Sequence, residues 1–435
     1  MVRRNMNAKS NRLNSLNRLL TVVFIIMAMP VYHAFSQSEK FAFARKDELW
    51  GLIDEHGNVI IDFQYDIISI PGSEWLPYNN ASKSLLFYPG DGLVKTRKGN
   101  RYGFYDLTTK NEIPNEFYQA TDFKENHSIV YLGFKYGMIN RQGELTFEPT
   151  NRELLDFSFG KILFKKGAKY GFMDYNGFES VEPLYNDAEI FADSLACVNF
   201  KDKFGYIGLN GTWIIEPQYK NAKSFYQGLA IVQNSQSLWG VIDKKGEYVI
   251  KPEYDQIIFQ HAGYFRVRKS GHWGFVDTKG LHKIDCNYND AKDFSEGLAC
   301  VNNGGYWGVI DEDDSLILDF KFQEAYDCKD GIILVKDEDL KCYYDKNGTR
   351  LSYDCYEKAY NFSEGVARVS LNDKIGFISR SGEWVIQPLF ENAYDFKFEL
   401  ARARKDEFWG YINKNGEYAI DPVFDNILDF FVLEK

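Results

Sequence analysis

Carboxylates return down this chain in a fixed phase, and paired carboxylates are the residues from which acid and base catalysis of glycoside cleavage is built. Asp54, Asp174, Asp243, Asp277 and Asp345 each open a four-residue segment that closes on glycine, at Gly57, Gly177, Gly246, Gly280 and Gly348. A catalytic pair needs two carboxylates in unlike environments, one to hold a proton and one to give it up. These aspartates occupy equivalent places, and an Asp-x-x-Gly segment already has a structural use as a turn. The expectation is therefore no catalytic residue.

Other constellations fall the same way. His261, His272 and His282 are too widely spaced for a local zinc motif and have no cysteine at ligand spacing. The run Asp311-Glu312-Asp313-Asp314 lacks the central glycine and distant glutamate of an EF-hand loop, and Asp311 stands in the turn column. The sequence holds no Gly-x-Ser-x-Gly elbow and no phosphate-binding glycine loop. No metal site and no cofactor are assigned. Binding chemistry is concentrated instead in an insertion at about residues 68–88, where Trp75 and Tyr78 lie in a proline-punctuated loop with the side chains that stack on sugars or anchor a protein partner. The insertion interrupts the first unit, and the reading preferred over binding is that this loop folds as a cap over the open end of the structure.

What positions these residues is a repeat. An aromatic-glycine pair recurs with its glycine at Gly51, Gly103, Gly137, Gly171, Gly205, Gly240, Gly274, Gly308, Gly376 and Gly410, with a degenerate slot at Cys342. The first interval is 52 residues and the others 34 or 35, which makes eleven units with one insertion. Each unit carries three strand signals. The first alternates, as in Leu229-Ala230-Ile231-Val232 and Leu298-Ala299-Cys300-Val301, which predicts one buried face. The second holds the pairs Trp50-Gly51, Trp239-Gly240, Trp273-Gly274, Trp307-Gly308 and Trp409-Gly410, read as packing between units. After the Asp-x-x-Gly turn a third strand runs to a proline column, Pro183, Pro217, Pro252, Pro388 and Pro422, which is expected to end it. An aromatic bend, with room for a helical turn, leads to the next unit. The predicted fold is all-β: eleven three-stranded antiparallel meanders stacked in an open or curved solenoid-like superhelix, with a closed propeller as the alternative.

These landmarks, over about residues 41–430, resemble the WG-repeat family of bacterial proteins, which share the aromatic-Gly, Asp-x-x-Gly and Pro-x-Tyr pattern. The resemblance implies β-rich interaction or scaffold modules and carries over no catalytic residue. Lys341-Cys342 and Ile375 depart from the pattern.

Residues 1–36 read as a signal peptide: Arg3, Arg4, Lys9, Arg12 and Arg18 without an acid, the apolar run Leu19 to Tyr32, and Ala34-Phe35-Ser36 before the cleavage point. An uncleaved anchor is the alternative; after cleavage no stable membrane span remains, and residues 37–435 form the repeat array. Loss of five positive charges takes the net charge from −11 to −16, which disfavours nucleic acid as a partner. The six cysteines do not follow the repeat period, so most are expected to be free, and Cys328 stands in the column of Phe294 and Phe362 as a small core residue. The expected function is an exported, non-catalytic scaffold for an envelope protein or surface glycan; the alternative is a propeller-like carbohydrate-active enzyme using rim carboxylates.

Overall fold

The computed structural model describes residues 39–69, 92–259, 263–281, 283–351 and 354–433. Among them there is no helix, and the bend between units is built from turns and isolated bridges, not a helical turn. Eleven small antiparallel sheets follow one another along the chain. We number them as blades 1 to 11; blade 6, for example, is made of Asn221–Ala222, Leu229–Gln233, Trp239–Asp243 and Tyr248–Tyr254. The three expected strands are present in ten of the sheets, and a further one is added by a run of two to six residues after the previous blade's last strand. Only Lys220 separates Tyr219, which ends blade 5, from Asn221, which opens blade 6.

This handover closes the molecule. Blade 1 is the first among the described residues, and its outer strand comes from far along the chain: Ala44 and Arg45 pair with Ile427 and Asn426, and Phe41 pairs with Phe431. The Asp425 and Leu428 N–H groups donate to the Arg45 and Phe43 carbonyls at 2.8 and 2.9 Å. Ala42, Ala44 and Ile53 share one core with Tyr411, Ile420, Phe424 and Phe430. The chain is thus a closed, propeller-like ring of eleven blades, and the open superhelix is not what forms. Closure leaves no open sheet stack at the ends, which is what stacking units with apolar faces require.

The first strand is buried on both faces, where sequence alternation indicated one. Ala230 and Val232 pack with Tyr206 and Tyr219 of blade 5 and with Phe225 of their own blade's bend, while Ile231 packs on blade 7 with Ile257, Phe265 and Val267. The variable column is therefore between blades and does not face outward. Its partner column, just after the glycine, meets the bend of the next blade: Phe104 on Phe123, Phe172 on Phe191, Phe275 on Phe294 and Phe377 on Phe396, with ring centroids 4.7 to 4.9 Å apart. Where Val309 replaces the ring, Cys328 replaces its partner and is buried, as its column indicated.

The prolines do not end the third strand. Pro252 lies inside Tyr248–Tyr254. Trp239 pairs with Tyr254 and Val241 with Ile250, so two steps on one strand face four on the other, and the surplus is a bulge over Gly240. A β-carbon at Gly240 would sit 2.6 Å from the Ile250 carbonyl oxygen and 2.9 Å from the Pro252 nitrogen. The glycine thus clears space for the third strand of its own blade. Proline is tolerated there because this strand is an edge and its missing N–H breaks no ladder bond.

Candidate functional site

The turn aspartates are occupied. Asp243 Oδ1 accepts from the Lys245 and Glu247 N–H groups, both at 2.9 Å, and Gly246 takes φ +84° to complete the turn. Asp54, Asp174, Asp277, Asp311 and Asp345 repeat the arrangement. Burial pushes the Asp54 carboxyl up, but hydrogen bonds from the Asn58 side chain and from the Asn58 and His56 N–H groups outweigh it and hold the group low. Such a carboxylate stays charged and does not donate a proton near neutrality.

Trp75 and Tyr78 lie outside the described residues, as do His261 and His282. The insertion's flanks belong to blade 2, where Ile67–Ser69 pairs with Lys95–Arg97. His272 is exposed, with Nδ1 3.2 Å from the Ser270 carbonyl. Among the described residues no three His, Cys, Asp or Glu side chains group as a metal site, and no helix is long and apolar enough to cross a membrane.

Two devices between blades were missed in the sequence. The first joins the tips that precede each first strand. Glu296 accepts from the Asp330 and Gly331 N–H groups of the next blade, both at 2.9 Å, and Glu364 does the same for Phe398 and Glu399. Glu125 serves Phe159 and Gly160, and Asp193 and Asp330 serve Gly228 and Gly365. A cation from the next blade's turn covers several of these acids: Lys346 on Glu296, Arg380 on Asp330 and Lys414 on Glu364. The recurring acid before Gly297, Gly331 and Gly365 was the available signal.

The second device fills the slots beside the aromatic-glycine column. In blades 2, 7, 10 and 11 the variable column holds Lys95, Arg266, Arg368 and Arg402. Each donates to a carbonyl of the next blade, at Ala120, Ala291, Ala393 and Ile427, and pairs with Asp122, Asp293, Asp395 or Asp429. In blades 8 and 9 the plug is Lys292 or Lys341, bonded to the Ala325 or Ala359 carbonyl. Aromatic faces receive these cations: Arg368 is 3.6 Å from the Tyr360 ring centre, Arg402 3.7 Å from Tyr394, Arg266 5.1 Å from Trp273 and Lys292 5.1 Å from Trp307.

The signature tryptophans are only half-buried. Trp50, Trp239, Trp273, Trp307 and Trp409 each lie opposite the third strand's terminal ring, at Tyr65, Tyr254, Tyr288, Phe322 and Phe424. Between blades 6 and 7 the slot is open. Lys223, Trp239, Asp255, Gln256, Ile257 and Ile258 surround a cavity of about 310 Å³.

A family profile described as "WG containing repeat" matches residues 50–71, 170–204, 204–235, 239–271, 273–307, 307–340, 356–374, 375–407 and 409–431. No curated protein sequence matches. Among solved structures, a eukaryotic initiation factor is similar with a TM-score of 0.40 and 11 % identity over 75 % of this chain and 98 % of that one. BamB from Moraxella catarrhalis has a TM-score of 0.28 and 10 % identity over 61 % and 94 %. The extracellular domain of a hybrid two-component system from B. thetaiotaomicron has 0.24 and 8 % over 86 % and 67 %. The matched repeats cover more than half of the sequence and coincide with blades whose glycine, turn and bulge share one geometry: the chain belongs to the family of proteins built from WG-containing repeats.

Proposed function

We propose that this ring is an exported, non-catalytic scaffold that binds a protein or a surface glycan of the cell envelope. The observation that supports the non-catalytic part is the commitment of the repeated aspartates to their own turn N–H groups, a structural use for the candidate acids and bases. Export is supported by the basic, acid-free start and apolar run of residues 1–36, and the Cys342–Cys355 disulfide suits an oxidising compartment. A closed ring has no end to cover, which weakens the capping role for the insertion and favours its use in binding through Trp75 and Tyr78.

The test is binding of the mature chain to a glycan array and to envelope extracts, beside the Trp75→Ala/Tyr78→Ala double variant. Loss of a specific signal with an unchanged melting temperature is the expected result. Release of reducing sugar from a polysaccharide by the wild-type chain, abolished by changing a turn aspartate, would overturn the reading in favour of an enzyme.

A further inference from the structure

The slot between blades 6 and 7 differs from the five slots that follow it in what fills it. From the slot between blades 7 and 8 round to the closing one, a cation bonds the opposite carbonyl: Arg266, Lys292, Lys341, Arg368 and Arg402 in turn. At the blade 6 and 7 slot the variable column is Ile231, which pairs with Val241 and packs into the core. Lys223, the counterpart of Lys292, forms no side-chain hydrogen bond or ion pair among the described residues. The position that is Tyr326, Tyr360 or Tyr394 in later blades is Ile258 here. A void beside a half-buried indole results, at the small end of the range for ligand pockets.

Its walls are rigid. The Lys223 backbone is held from two sides, its N–H donating to the Ile231 carbonyl at 3.0 Å and its carbonyl accepting from the Tyr206 hydroxyl at 2.8 Å. The opposite wall is a regular ladder in which Gln256, Ile257 and Ile258 pair with Arg268, Val267 and Arg266. The Asp255 N–H donates to the Arg268 carbonyl at 2.8 Å, which leaves its exposed carboxylate to project from a fixed backbone.

The lining offers one aromatic platform, a three-proton donor, a carboxylate acceptor and an amide that does both. A ligand that uses all four has an apolar face and a polar edge carrying hydroxyls, and the opposed charges of Lys223 and Asp255 favour a neutral one. We propose that this slot is a subsite for a single neutral pyranose unit, with the sugar C–H face on Trp239 and its hydroxyls on Lys223, Asp255 and Gln256. The proposal rests on the glycan-binding reading of the ring and gives it a location away from Trp75 and Tyr78.

Saturation-transfer NMR on the whole mature chain with a panel of neutral hexoses, and disaccharides built from them, tests it. Transfer should fall on the C–H protons of one sugar face, with affinity on the order of 1 mM, about −4 kcal/mol. Ile258→Tyr, which rebuilds the plug of later blades, and Asp255→Asn should each weaken binding at least tenfold without moving the melting temperature. Sugar binding that survives Ile258→Tyr overturns the subsite, and its simultaneous loss in the Trp75→Ala/Tyr78→Ala variant keeps the glycan reading while moving it to the insertion. No transfer from any sugar to the wild-type chain overturns both.

Discussion

Blades 8 and 9 are neighbours of equal length that part at the signature pair, Trp307-Gly308 in the first and Lys341-Cys342 in the second, while blade 10, with Ile375-Gly376, keeps four strands without the aromatic. In blade 8 the third strand, Leu316–Phe322, closes over the glycine, with Trp307 opposite Phe322 and Val309 opposite Leu318. Blade 9 has three strands where its neighbours have four. Among the described residues after its turn, the pairing consists of isolated bridges, Tyr344 with Arg350 and Lys341 with Tyr356, beside a disulfide from Cys342 to Cys355. Eleven residues separate Asp311 from Phe322 and Asp345 from Tyr356, so an insertion does not explain the difference. The β-carbon does. At Gly308 it would lie 2.7 Å from the Leu318 carbonyl oxygen, a distance side chains do not tolerate, and Cys342 carries that atom. The ladder gives way, and a covalent tie holds Tyr356 where Phe322 stands in blade 8. The lesson is that the glycine, more than the aromatic before it, decides whether the third strand can close.

Three changes probe that contrast. Gly308→Val puts two further carbons where one already collides, and should destabilise the ring by about 3 kcal/mol, read as a shifted denaturant midpoint and new protease cleavage at residues 316–322. Cys355→Ser opens a loop of 13 residues and should cost about 2 kcal/mol, a loss that reducing agent reproduces in the wild type and does not add to in the variant. An unchanged melting temperature in Cys355→Ser would show that blade 9 holds its edge without the bridge.

The smallest effect concerns the tips that both blades share. Burial raises the Glu296 carboxyl, but the Gly331 N–H, Lys346 and the Asp330 N–H outweigh it, and the folded value lies below the ordinary 4.5. The stabilisation is therefore present above pH 4.5 and is lost as pH falls through the lower folded value. Because the side chain is 36 % exposed and screened by solvent, Glu296→Gln should cost less than about 1 kcal/mol at pH 7. The difference from wild type should shrink below pH 4.5, as followed by melting temperature against pH.

Much of this architecture could be read from single columns. The phase of the aromatic-glycine pair fixed the number of blades, and the Asp-x-x-Gly signal gave the right turn with the right carboxylate bonds. Two features escaped because they join residues far apart. Ring closure pairs Arg45 with Asn426, and no local pattern reports such a partner. The slot plugs were hidden because Arg368, set between alanine and valine, and Arg402, set between two alanines, read as solvent-facing residues of a half-buried strand. Arg368 is instead buried between blades. Single-face alternation fails here since each sheet is packed on both sides.

The central claim is closure, and a distance across the seam tests it most directly. Spin labels on unnatural side chains at Lys46 and Val423, both exposed, leave the native cysteines untouched. Asn426, three residues after Val423, pairs with Arg45, the neighbour of Lys46, and paired strands lie about 4.8 Å apart, so in the closed ring the two labels should give a narrow distribution at about 20 Å or less. Sheets stack about 10 Å apart, and an open array of the same blades would separate the labels by about 100 Å, leaving no short-distance signal and contradicting the ring.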